Sequence, residues 1–293
     1  MKKNCILVVN PVSGALDKSE FIDATIDFAR TKDLKLHLYT TSGENDIENL
    51  RLLYTHHKPE RIIVAGGDGT IKMVTEAMEN EDVILGILPA GSANGLAADL
   101  NLSSVFEENL EIAFGDHFMD MDIVSINNEK SIHLSDLGLN AELIKNYENG
   151  SIRGKLGYAL QALTTLIDLE ESFTATIHTN NQTLVCEARM IVIANSKKYG
   201  SGIVINPNGS MNDGKFELII LKNLDLIVLL KIITGNMPIY SEDVEIISTD
   251  QATITTSVPV NFQMDGEYYG YKSQLDISIL SKKMRVAVPY NME

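Results

Sequence analysis

From Cys5 to about Pro89, short apolar runs alternate with amphipathic stretches, the pattern of parallel strands joined by crossover helices. Strands are predicted over Cys5 to Asn10, Leu34 to Thr40, Arg61 to Ala65 and Ile84 to Leu88. Between them, Phe21, Ile22, Thr25, Ile26 and Ala29 share one helix face, and Ile47, Leu50, Leu53 and Tyr54 share another. This alternation predicts a doubly wound α/β domain.

After about Met121 the pattern changes to segments rich in β-branched residues: Ile123 to Ile126, Ser131 to Ser135, Phe173 to His178, Met190 to Ala194, Phe216 to Leu221, Ala252 to Ser257 and Leu275 to Leu280. Turn signals separate them, among them Asn208-Gly209, Asp213-Gly214 and Asp265-Gly266. The expectation is a mainly antiparallel second domain with two helical insertions, from Gly154 to about Leu169 and from Leu224 to about Thr234. The boundary is drawn between residues 121 and 122, with residues 284–293 able to pack back on the first domain. No Pro/Gly linker marks the junction, so closely joined domains with a cleft are expected.

With 44% hydrophobic and 22% charged residues among 293, the chain is neither disordered nor fibrous. Its 24 Lys and Arg against 40 Asp and Glu give a formal net charge of -16, which repels phosphate backbones and anionic bilayers and argues against nucleic-acid binding. Cys5 and Cys186 lie far apart without metal-ligand spacing and read as core side chains. The apolar run after Met1 is short and reads as a strand rather than a signal peptide. No transmembrane segment is expected, since even Leu224 to Ile233 is broken by Asp225 and Lys231. A cytoplasmic location follows as the expectation.

The strongest chemical signal is Gly66-Gly67-Asp68-Gly69-Thr70, between a predicted strand and a predicted helix. Glycines let backbone N–H groups approach a ligand, and the helix N-terminus adds partial positive charge, a combination suited to phosphate. It is not a Walker loop, since no Gly-x-x-x-x-Gly-Lys-Ser/Thr occurs in the sequence, nor the dinucleotide fingerprint, because the position three after Gly69 is Lys72 rather than Gly. Two more loops follow strands of the same domain, Asn10-Pro11-Val12-Ser13-Gly14 and Pro89-Ala90-Gly91-Ser92-Ala93-Asn94, and together the three form a rim at the strand ends. Taken alone, Asp265-Gly266-Glu267 and Asp213-Gly214 read as hairpin turns.

These motifs, in this order over essentially the whole chain, resemble the diacylglycerol kinase catalytic-domain family, which includes bacterial lipid kinases, sphingosine kinases and ceramide kinases. The resemblance implies an N-terminal α/β domain like those of NAD and diacylglycerol kinases, a C-terminal β-sandwich, and ATP held mainly on the first domain. It implies that Asn10, Thr41 (or its neighbour Thr40), Gly66, Gly67, Asp68, Gly69, Thr70 and Ser92 meet ATP. Asp68 would help organise phosphates and Mg²⁺, and Glu267 matches the general base that takes the proton of a lipid hydroxyl. Asp213 with the carbonyls of Ser210 and Lys215 resembles a structural Mg²⁺ site.

One departure bears on the acceptor. Where many members carry Asp after the loop Asn, this chain has Gly95, and the run Gly91 to Leu100 is closer to the sphingosine-kinase version. Met121-Asp122-Ile123-Val124-Ser125 resembles a segment whose Asp meets a sphingoid head group, which would make Asp122 and Asn94 substrate-binding; a solvated strand-edge carboxylate is the other reading of Asp122. Diacylglycerol and a long-chain base both stay open as acceptors, met at a membrane surface, the inner face by expectation, through a local patch such as Lys197 and Lys198. A homodimer is left open. The competing functions are a NAD kinase, whose helix-borne Asn-Glu pair is absent because Asn128-Glu129 falls in an apparent hairpin, and a catalytically silent lipid or nucleotide binder.

Overall fold

The computed structural model describes residues 3–14, 18–92, 94–138, 172–199, 203–223, 242–290 and 292. The two predicted helical insertions lie outside these residues. The chain divides into two units, Met1–Met121 with Ser281–Glu293, and Asp122–Leu280.

The first unit runs β1 (Lys3–Val9), α1 (Ser19–Thr31), β2 (Leu34–Thr40), α2 (Asp46–His57), β3 (Arg61–Gly66), α3 (Asp68–Ala77), β4 (Ile84–Pro89), α4 (Gly95–Asp99) and α5 (Phe106–Ala113). Its strands are parallel in the order β2-β1-β3-β4. Arg285 and Val286, near the chain's end, continue the sheet beside Ile84 and Leu85 of β4. Cys5, Leu7 and Val9 of β1 pack with Ile63, Ala65, Ala29 of α1 and Leu110 and Ala113 of α5. The alternate residues Ile6, Val8, Ile62 and Val64 are also buried, so both faces are covered. That is why these strands read as unbroken apolar runs rather than alternating ones.

Helix α5 is not among the predicted elements. It has eight residues, and its apolar positions Phe106, Leu110 and Ala113 are interrupted by Glu107, Glu108 and Glu111, too short a stripe to stand out by period. Arg61 ties it down by donating from its guanidinium to the Ala113 and Gly115 carbonyls, both at 2.7 Å. Burial pushes the neighbouring Cys5 thiol up to about 12, as expected of a core side chain.

The second unit takes up β5 (Phe118–Ile126) from Asp122 onward, then β6 (Glu129–Ser131), β7 (Leu134–Leu137), β8 (Phe173–Thr179), β9 (Thr183–Ala188), β10 (Met190–Ala194), β11 (Lys198–Tyr199), β12 (Ile203–Val204), β13 (Phe216–Leu221), β14 (Val244–Thr249), β15 (Gln251–Met264) and β16 (Glu267–Ala287) as far as Leu280. The registers within it are antiparallel. Strand β15 pairs with β8 through Ala252–Thr256 and with β7 through Phe262–Met264. Register shifts between Thr255 and Val260, and between Asn261 and Gln263, bend it so that one strand serves both layers of a β-sandwich. Val124, Phe173, Ile193, Phe216, Ile254 and Phe262 belong to the core between those layers.

Two features differ from the sequence expectation. Strands β15 and β16 extend well beyond the predicted segments, because Pro259 and the polar run Lys272-Ser273-Gln274 interrupt the apolar pattern without ending the pairing. Strands β9 and β14 are additional, and both carry exposed positions that dilute their apolar signal. The hairpin expected at Asn128-Glu129 is present: Asn127 and Asn128, both with positive φ, form the two-residue turn between β5 and β6, and Glu129 opens a strand.

Candidate active site

In the first unit, the loops after β1, β3 and β4 are bound to one another. Asn10 Nδ2 donates to Thr70 Oγ1 at 3.0 Å, while Asn10 Oδ1 accepts the Val12 N–H. Ser13 Oγ donates to the Ala90 carbonyl at 3.2 Å, and the Ala90 N–H returns to the Gly66 carbonyl at 3.0 Å. Asp68 joins the second and third loops: its carboxylate accepts the Gly95 N–H at 2.8 Å and the Leu96 N–H at 3.1 Å. Both donors open α4, where a carboxylate is favoured by unpaired N–H groups and the helix dipole.

Two glycines permit this closeness. A Cβ on Gly91 would stand 2.4 Å from the Gly67 Cα, closer than real Cβ contacts occur, so the second and third loops touch backbone to backbone. The N-cap of α3 is Gly67 itself, without a side-chain cap, which leaves the first turn of the helix open to an anion. Thr70 is buried beneath this turn and Ser92 is exposed at the rim. Asn94 closes the third loop on itself, accepting the Gly91 N–H at 2.8 Å and donating to the Gly91 carbonyl at 3.0 Å.

Thr41 follows β2, and its N–H donates to the Val9 carbonyl at 2.9 Å, beside the start of the first loop. The turn that carries it hangs on Asp46, which accepts from Tyr39 Oη at 2.6 Å, the Ser42 N–H at 3.0 Å and the Gly43 N–H at 2.8 Å. Burial alone would push the Asp46 carboxyl up, but these hydrogen bonds outweigh it and hold the group below the ordinary aspartate value.

The sequence reading missed Asp46 and also Lys18, which is buried and whose ammonium donates to the Ser13 and Ala90 carbonyls, binding the first loop to the third. Burial lowers the Lys18 pKa. Lys18 lies in no recognisable motif because its partner Ala90 is remote in sequence, whereas Asp46 closes a local turn with N–H groups three and four residues before it.

In the second unit, Asp122 is 1% exposed, which removes the solvated strand-edge alternative. Its carboxylate accepts the Gly214 N–H at 2.7 Å, its N–H donates to the Met211 carbonyl at 2.7 Å, and its own carbonyl accepts Asn195 Nδ2. Asp122 thus clamps the 211–214 loop, and the head-group role implied by resemblance gains no exposed carboxylate here. On that loop Asp213 is exposed, with one oxygen accepting the Lys215 N–H, and Ser210 Oγ donates to Asn212 Oδ1. Ser210, Asp213 and Lys215 offer a carboxylate and backbone carbonyls, an all-oxygen donor set that suits Mg²⁺. Among the described residues no group of three or more His, Cys, Asp or Glu could hold a metal.

Asp265 and Gly266, with φ of +52° and +85°, form the two-residue turn between β15 and β16 that the Asp-Gly pair predicts. The Asp265 carboxylate accepts from Ser131 Oγ at 2.9 Å and from the His133 and Ile132 N–H groups at 3.0 and 3.2 Å. Glu267, the first residue of β16, is exposed beside this anchored turn, as a group meeting an external hydroxyl must be.

Comparison with known proteins follows the same division. The family model described as the diacylglycerol kinase catalytic domain matches residues 4–126, and that described as the YegS C-terminal NAD kinase beta sandwich-like domain matches residues 136–288. The chain belongs to the diacylglycerol kinase catalytic-domain family. It is 24% identical over 301 residues to "Putative lipid kinase SH2167" of Staphylococcus haemolyticus, covering 98% of this chain and 97% of that protein. It is 23% identical over 248 residues to "Probable lipid kinase YegS-like" of Shewanella frigidimarina, covering 79% and 77%. The crystal structure titled "a putative diacylglycerol kinase" from Bacillus anthracis superposes with a TM-score of 0.83 at 21% identity over 99% of both chains, which shows the shared fold. Among the described residues no helix is long and apolar enough to cross a membrane.

Two outcomes follow from this geometry. Gly91→Ala forces the second and third loops apart, and this overpacking is expected to cost about 1 to 3 kcal/mol of stability, read by urea titration. Asp46→Ala is expected to destabilise the chain by about 2 kcal/mol at neutral pH, for the loss of hydrogen bonds to a charged group. Because the folded-state pKa of Asp46 is lowered, this stability is present above the unfolded pKa and is lost as pH falls through the folded one. Urea titrations at stepped pH should therefore show the gap between wild type and variant closing in the acid range.

Proposed function

We propose that the chain is an ATP-dependent lipid kinase that transfers the γ-phosphoryl group of ATP to a lipid hydroxyl, either of diacylglycerol or of a sphingoid long-chain base. The observation that carries this reading is the three-loop frame bridged by Asp68, joined to membership of a family whose relatives are named lipid kinases. In phosphoryl transfer the protein chiefly positions reactants and offsets charge, and a frame of glycine backbone at a helix N-terminus suits that task. When bound, ATP supplies the phosphoryl group and Mg²⁺ neutralises phosphate charge.

The chain's own residues divide the work. Gly66, Gly67, Gly69 and Thr70, with Asn10, Thr41 and Ser92 around them, hold the polyphosphate, and Asp68 fixes the loops that do so. Glu267 takes the proton of the lipid hydroxyl as its oxygen bonds to the γ-phosphorus and the bond to the β-phosphate oxygen breaks, leaving ADP. Asp213 with the carbonyls of Ser210 and Lys215 would hold a structural Mg²⁺. A lipid acceptor implies work at a membrane surface, and a net charge of -16 means that docking depends on a local patch rather than on overall attraction. The NAD-kinase alternative is disfavoured by the tight turn before Glu129, which leaves no helix-borne Asn-Glu pair there.

The test is transfer of labelled phosphate from ATP with Mg²⁺ to mixed micelles of diacylglycerol, sphingosine, dihydrosphingosine, ceramide or monoacylglycerol, with NAD as a soluble control. A labelled lipid is expected and names the acceptor class. Labelled NADP overturns the lipid reading, and ATP binding without any product favours the silent binder. In the same assay Glu267→Gln should lower the rate by about 10²- to 10⁴-fold with ATP binding retained; an unchanged rate would sink its assignment as the base.

A further inference from the structure

The turn that carries Glu267 is held from below by a buried polar pair. Asp136, on β7, is 0% exposed, and Gln263, on β15, is 4% exposed. They face each other in the β15–β7 register, and Gln263 Nε2 donates to Asp136 Oδ2. The other end of the same amide reaches the turn: Gln263 Oε1 accepts the Gly266 N–H at 2.8 Å. Gly266 is itself exposed, and in register Gln263 lies opposite Tyr268 and Met264 opposite Glu267.

A buried amide and a buried carboxylate are costly to desolvate and are retained where their hydrogen bonds fix a geometry. An Asp-Gly turn folds without any such support, since its dihedral angles alone suffice. The Asp136–Gln263 pair therefore does something the turn itself does not require. By fixing Gln263 Nε2, Asp136 orients the amide so that its oxygen faces the turn, and that oxygen fixes the Asp265–Gly266 peptide at the centre of the turn, one residue before Glu267.

We propose that Gln263, oriented by Asp136, is a positioning residue that sets where the Glu267 carboxylate stands. The inference rests on the reading of Glu267 as the general base, and the experiment separates the two. Gln263→Leu is expected to lower kcat about 10- to 100-fold, as an ångström-sized misplacement of a catalytic group does, with KM for ATP within about twofold, since the nucleotide loops belong to other segments. Asp136→Asn keeps an acceptor for Gln263 and should retain most of the rate. Asp136→Leu with Gln263→Met removes both buried polar groups together, which protects folding, and should repeat the kcat loss.

The decisive comparison is a double-mutant cycle with Glu267→Gln. If Gln263 acts through Glu267, adding Gln263→Leu to Glu267→Gln costs less than about twofold more. Losses that multiply, or an unchanged kcat in the folded Gln263→Leu variant while Glu267→Gln is impaired, overturn the positioning role and leave the base standing. A full rate in Glu267→Gln alone overturns the base, and the positioning role with it. Independently of turnover, the Gly266 amide should be protected from hydrogen exchange in the wild type and lose that protection in Gln263→Leu; equal exchange in both contradicts the link.

Discussion

The first unit's candidate site depends on the Asp68 carboxylate. It lies at the start of α3, and its two oxygens take the N–H groups that open α4, so two helix starts separated by a strand are held by one side chain. A carboxylate suits this position because unpaired N–H groups and helix dipoles at both ends are positive. The close approach of Gly67 and Gly91 is its geometric counterpart: one contact pulls the loops together and the other lets them meet. Asn10 and Lys18 then bring the first loop onto the other two. Asp68 is thus engaged by backbone, which makes it an organiser of the loops that would surround phosphate.

The second unit solves a different problem. On the proposed reading of Glu267, a group that takes a proton from a lipid hydroxyl has to be exposed and yet fixed, two demands that conflict on a hairpin tip. Here the tip is exposed while its supports are buried, with Asp265 taking three donors from Ser131, Ile132 and His133, and Gln263 taking the Gly266 N–H. Asp122 does the same for the loop bearing Asp213. In both cases a carboxylate accepts backbone N–H groups from a segment remote in sequence, which helps a chain so rich in Asp and Glu use its acidic residues as internal fasteners.

How much of this was legible in the sequence follows from range. The strands of the first unit were, because a parallel sheet covered on both faces leaves unbroken apolar runs such as Cys5 to Val9. The three loops were, because glycine, proline and asparagine at strand ends have local causes, and the Asp265-Gly266 turn follows from two residues alone. Much of what escaped depends on partners far along the chain. Nothing near Asp122 signals that Gly214 will bury it, nothing near Asp136 signals Gln263, and nothing near Lys18 signals the Ala90 carbonyl. The ends of β15 and β16 escaped for a related reason, since pairing with neighbours carries a strand through Pro259 and a polar run that its own composition would stop at.

The central claim is that the three loops of the first unit form a polyphosphate site. Calorimetric titration of the intact protein with ATP, ADP, AMP and adenosine, each with Mg²⁺, tests it most directly. The account predicts that affinity falls with each phosphate removed and is weakest for adenosine, and that Asp68→Ala abolishes the difference among the four. Adenosine binding as tightly as ATP would contradict it, because the loops would then be holding something other than phosphate.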